Sequence, residues 1–183
     1  MAQLESYGTI RQSHRREGRM LFTVTEIDLP GIDGAAAHRA LFEQPWGWWK
    51  GGRISKHRSA PEGGVSFELW PMWLRSPARV GIEMSAPVEA GAQRGGDGEG
   101  PRTTVYRTRF FADFVGPGHY EVEHHTDGVR VRSVWDGVRA TGVVRPMPAA
   151  VVMRLHLGAE AGTLPFPFPK GTGFPGLAKH LAA

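Results

Sequence analysis

Two runs that alternate apolar and polar residues, His119–His125 and Val129–Asp136, flank the turn Thr126-Asp127-Gly128. Alternation of this kind puts successive side chains on opposite faces of a strand, and a two-residue Asp-Gly connection favours a hairpin. With Asp127-Gly128 as the turn, Tyr120 faces Trp135, Val122 faces Ser133, His124 faces Val131 and Thr126 faces Val129. The other face pairs Glu123 with Arg132, His125 with Arg130 and His119 with Asp136. One side is apolar and the other mostly charge-complementary, as cross-strand energetics favour. An antiparallel sheet with one buried face follows.

The rest of the chain extends that sheet. Met20–Ile27 is rich in β-branched and aromatic residues and stops at Asp28-Leu29-Pro30-Gly31. Arg53–His57, Val65–Trp70, Val80–Met84 and Thr104–Val115 read as further strands. Asp33 can cap a helix over Gly34–Gln44, which Pro45 would stop. Met147–Glu160 reads as a second helix entered at Pro148, and Gly176–Ala183 as a last helical turn. Gly and Pro make up 39 of 183 residues, which favours short elements over long helices. One domain is expected at 20–160, between a flexible basic arm at 1–19 and a Gly/Pro-rich tail at 161–183. The arm, with no period that buries a face, is expected to be dispensable for folding.

Composition removes several chemistries. No cysteine is present, which excludes disulfides, Cys-ligated zinc, iron–sulfur clusters and cysteine nucleophiles. Mean hydropathy is −0.31 and no apolar run approaches the roughly 20 residues of a membrane helix. Met1-Ala2-Gln3-Leu4-Glu5 lacks the basic-then-apolar layout of a signal peptide, so the cytoplasm is the expected location. The net charge of +4 is modest and half of it lies in the first 19 residues, so nucleic acid is not the expected partner.

Motifs with chemistry are few. Gly171-Thr172-Gly173-Phe174-Pro175-Gly176 matches a dinucleotide fingerprint in letters, but an extended Pro-rich segment precedes it and Pro175 interrupts it. His119, Glu121, Glu123 and His125 share one strand face. As same-face neighbours lie roughly 6.5–7 Å apart, all four cannot share one metal, and Arg130 and Arg132 oppose a cation. A solvated ion-pair ladder is the simpler reading; no metal and no cofactor are expected. His124 points inward, either as a satisfied core histidine or as a pocket donor. Six Trp, with Phe67, Phe110 and Tyr120, fit either core packing or an apolar cavity with a few polar groups.

The order strand, helix, aromatic-rich Trp46-Gly47-Trp48-Trp49, six further strands and a last helix resembles the START-like (Bet v 1-like, polyketide cyclase-like) helix-grip superfamily. Thr25-Glu26-Ile27-Asp28-Leu29-Pro30, leading into Ala36–Phe42 and then Trp46–Trp49, is similar to that superfamily's entry. The resemblance covers roughly 20–160. It implies an α+β helix-grip fold, a seven-stranded antiparallel sheet curled around a C-terminal helix with an apolar cavity between them. Phe110, Tyr120, His124 and Trp135 would then face Met153 or Leu157 across that space. The expected function is binding of a hydrophobic small molecule or lipid. The alternatives are a cyclase- or hydrolase-like enzyme in the same cavity, or an interaction module using the Arg-rich arm and the Pro-rich tail. No catalytic residue is assigned, and the oligomeric state is left open.

Overall fold

The computed structural model describes residues 8–18, 20–43, 52–59, 64–71, 80–85, 88–89, 103–110, 117–139, 154, 157–158, 160–163 and 173–183. Among the described residues nine strands form one antiparallel sheet: β1 (Ile10–Glu17), β2 (Met20–Pro30), β3 (Gly52–Ser59), β4 (Val65–Pro71), β5 (Val80–Met84), β6 (Val88–Glu89), β7 (Thr103–Phe110), β8 (Gly118–His125) and β9 (Gly128–Arg139). The strand order is β1-β2-β9-β8-β7-β5-β4-β3, with β6 paired to β7 off that path. Helix α1 (Gly34–His38) passes directly into a π-helical turn (Arg39–Glu43), and α2 (Phe174–Leu181) lies near the C-terminus.

Asp33 caps α1 as its side chain predicts, accepting from the Ala36 N–H at 3.2 Å. The π turn that follows buries three consecutive residues, Ala40, Leu41 and Phe42. Helix α2 adds Phe174, Leu177 and Ala178. These meet Ile27, Leu29, Val122, Val129 and Val131 from the sheet in one apolar cluster. Fully burying a side chain such as Leu177 stabilises the fold by roughly 1.5–3 kcal/mol.

Several expectations need correction. Residues 10–17 do not form a loose arm: β1 pairs with β2 in register from Ile10↔Ile27 to Glu17↔Met20. The C-terminal stretch is not only a tail, since α2 seats three side chains in the core. The helix-grip architecture is overturned as well. Among the described residues the sheet has nine strands rather than seven, and it is neither closed nor curled around one C-terminal helix. The helices with described limits have five and eight residues. Of the expected Met147–Glu160 helix, Arg154, Leu157, Gly158 and Glu160 are helical, and 147–153, 155–156 and 159 lie outside the described residues.

The β8–β9 hairpin has the expected faces but a register two residues away. His125 pairs with Gly128 across Thr126-Asp127, and Tyr120 faces Ser133 while Gly118 faces Trp135. The cause is tertiary. Gly128 belongs to β9 and also pairs with Pro30 of β2. A side chain at Gly128, whose φ is +155°, would come within 2.3 Å of the Leu29 carbonyl oxygen. The Gly31 N–H then donates to the Asp127 carbonyl at 2.6 Å, fixing the turn against the end of β2. An even-numbered slip keeps every side chain on its own face, so alternation alone cannot detect it.

Candidate functional site

The inner face of β2, β9 and β8 changes character along the strands. Leu29, Ile27, Val129, Val131 and Val122 form its aliphatic end, under α1 and α2. Beyond them lie Thr25, Thr23 and Ser133, each at most 1% exposed, although they occupy core positions of strands that alternate strictly. Buried hydroxyls of this kind require hydrogen-bond partners.

Glu160 supplies a common acceptor. Its Oε1 accepts from Ser133 Oγ at 2.5 Å and from Trp135 Nε1 at 2.7 Å, and its Oε2 accepts from Thr25 Oγ1. The same indole N–H also donates to Ser133 Oγ at 2.8 Å. From β1, the Gln12 amide donates to Thr25 Oγ1 at 3.1 Å and to the Leu157 carbonyl at 2.9 Å. Leu157 and Glu160 are thus fastened to three strands through polar side chains.

Tyr120 lies between the two ends. Phe42 meets its ring edge-on at 6.0 Å between centroids. Burial, and then the negative charge of Glu160, raise the Tyr120 phenol above its ordinary value, so it stays protonated. Trp135 lies flat over Gly118, where a Cβ would sit 2.4 Å from the indole Cε3. Ser133 is too deeply buried to serve as an accessible nucleophile, despite its carboxylate partner.

Of the residues expected to line a ligand space, Tyr120, Trp135 and Leu157 come to this end of the sheet. His124 does not. It pairs with Val129 at the far end of β8, with its ring against Gly34 at the start of α1. At about 3.3 Å per residue, six positions separate it from the Gly118–Trp135 pair by about 20 Å along the strand. Phe110 lies on β7, paired with Ile82, but its side chain lies outside the described residues, as does Met153. The sequence reading missed Gln12, Thr23, Thr25, Ser133 and Glu160. The available signal was a hydroxyl at each of three positions whose parity places them in the core.

The outer face carries a lattice of ion pairs. Arg11 contacts Glu26 at 2.6 Å and Asp28 at 2.7 Å, Arg132 contacts Glu26 at 3.2 Å and Glu121 at 2.7 Å, and Arg130 contacts Asp28 at 2.6 Å and Glu123 at 3.6 Å. His119 contacts Glu121 at 3.2 Å and Asp136 at 3.5 Å, and His125 contacts Glu123 at 3.7 Å. The Arg11 hydrogen bond leads in lowering Glu26, with burial opposing and Arg132 assisting. Burial pushes Asp28 up, but its hydrogen bonds to Arg130 and Arg11 leave it lowered overall. The His119 hydrogen bond, against burial and with Arg132, lowers Glu121. Among the described residues no group of three or more His, Cys, Asp or Glu is placed to hold a metal ion.

No protein-family model, curated protein or solved structure matches the chain. Among the described residues no helix is long and apolar enough to cross a membrane.

Proposed function

We propose that the protein binds a hydrophobic small molecule or lipid against the inner face of its sheet, beside Tyr120 and Trp135. The observation that carries this reading is the junction there. An aliphatic layer ends at two aromatic side chains, and a carboxylate surrounded by hydroxyl and indole donors follows at once. Small-molecule sites combine apolar walls with a small number of fixed polar groups in this way. The polar groups hold one another in place before any ligand arrives, which lowers the ordering cost of binding.

The test is a thermal-shift and fluorescence screen of long-chain alcohols, fatty acids and polycyclic aromatics. A ligand should raise the melting temperature by mass action and quench emission that is lost in Trp135→Phe. Trp135→Ala separates a ligand space from filled core. An indole packed solid on every side costs roughly 3–5 kcal/mol when removed, and one lining a ligand space costs clearly less. No shift with any compound, together with the full penalty for Trp135→Ala, would overturn the proposal.

A further inference from the structure

The two edges of the sheet are built differently. At one end, β3 is broken by a bulge between Ser55 and Arg58, where Lys56 takes a positive φ of 53°. A bulge and an edge lysine both hinder the addition of another strand. At the other end, β1 pairs with β2 without a register shift over all 8 of its residues, and it holds no Pro or Gly. Its residues from Arg11 to Glu17 are exposed. The described contacts of its arginines run back onto β2 or along their own chain, not across the free edge. Arg11 contacts Glu26 and Asp28, Arg15 contacts Glu17 and lies over Phe22, and Arg16 donates to the Gly18 carbonyl at 2.8 Å. A regular edge left open in this way is a template for pairing.

We propose that β1 pairs antiparallel with β1 of a second copy of this chain, joining the sheets of two protomers. Opposite residues of an antiparallel pair leave the same side of the sheet, so a twofold pairing sets outer residues against outer ones. Charge then selects the register. With His14 opposite its own copy, Arg11 stands opposite Glu17, Arg15 opposite Ser13 and Arg16 opposite Gln12, so no arginine meets another. A slip of one step in either direction sets Arg11 against Arg15, or Arg15 against its own copy. Like charges directly opposite are destabilising, and opposite ones are favourable. The strand is self-complementary in the His14-centred register.

Sedimentation velocity of the full chain over about 1 μM to 1 mM, which brackets the affinities of small interfaces, should show a monomer–dimer equilibrium. Ser13→Glu should tighten the dimer about threefold to tenfold, because a carboxylate then meets Arg15 twice across the axis. Ser13→Arg should weaken it by about the same factor. Position 13 is exposed, so both variants should melt with the wild type. In the two neighbouring registers the new carboxylate would instead meet its own copy or Glu17, and the dimer would weaken. The chain has no cysteine, so His14→Cys gives a second reading. Mild oxidation should link two copies at the axis, where opposite Cα atoms lie about 4.5–5.5 Å apart. It should not link Ser13→Cys, whose copies lie diagonally about 7–8 Å apart. A monomer at every concentration would overturn the proposal. So would a dimer that Ser13→Glu weakens or leaves unchanged, or one that crosslinks through Ser13→Cys and not through His14→Cys.

Discussion

Glu26 and Ile27 are neighbours in β2 and leave the sheet on opposite sides, and the two faces they enter are organised in opposite ways. The inner face is aliphatic at Ile27 and Leu29 and hydroxylic at Thr25 and Thr23. The outer face is charged at Glu26 and Asp28, then apolar at Val24 and at Phe22, over whose ring Arg15 sits at 4.2 Å. Between Phe22 and Leu29 polarity thus inverts along the strand as well as across it. On the outer face each charge finds an opposite one among half-exposed arginines with solvent alongside. On the inner face the hydroxyls of Thr25 and Ser133 must be satisfied within the protein, and one carboxylate from a distant segment serves both. Polar groups outside are cheap to place, whereas polar groups inside need a specific partner.

The sharpest test of that contrast sets one apolar side chain against one charged one. Ile27→Ala should destabilise by about 2–5 kcal/mol, because Ile27 lies within the apolar cluster and its removal leaves a cavity. Glu121→Gln, on the outer face of β8, should cost under about 1 kcal/mol. Urea titrations of the two variants read the difference directly. Similar midpoints would mean that the inner aliphatic end is not the mainstay of the fold.

The middle of the scale belongs to Trp135. Gly118→Ala puts a methyl group into the plane where the indole rests, and overpacking of this kind costs about 1–3 kcal/mol. The ring must tilt, which pulls its N–H from Ser133 and Glu160, so Trp emission should shift along with the melting temperature. A variant with unchanged spectrum and stability would show that the ring has room to move, and the inner polar end would then be looser than its hydrogen bonds imply.

Which parts of this were legible follows from the same contrast. The inner and outer faces of β2, β8 and β9 can be read from alternation, and α1 from Asp33 and its alanines, because those signals are local. β1 is not legible as a strand. Arg11, Ser13, Arg15 and Glu17 face outward opposite Glu26, Val24, Phe22 and Met20, and an edge strand needs backbone pairing rather than a buried face. The helix-grip resemblance rested on element order, which neither counts an unrecognised edge strand nor shows how the sheet is shaped. In the site, Tyr120 and Trp135 stand out as aromatics of inward parity. Glu160 does not, because its role depends on where a segment 25 residues beyond Trp135 folds back, and no local pattern encodes that.

The smallest expected effect is the most exacting about register. With Tyr120 paired to Ser133, Glu121 faces Arg132 across the hairpin and contacts it at 2.7 Å; the turn-based register would instead put Glu123 there. A double-mutant cycle on Glu121 and Arg132 should give a coupling of up to about 1 kcal/mol, reduced by solvent because Arg132 is about one-third exposed. The cycle on Glu123 and Arg132 should give none that can be resolved. The Glu121 coupling also has a defined pH window. Because the folded carboxyl is lowered relative to the unfolded chain, its contribution is fully present above the unfolded value near 4.5. It is lost as pH falls below that value and through the lowered folded one, and added salt should weaken it at neutral pH. If the larger coupling belonged to Glu123, or if the Glu121 coupling persisted in acid below both values, the hairpin would be paired differently. The contacts that fasten Glu160 to Ser133 and Trp135 would then have to be redrawn with it.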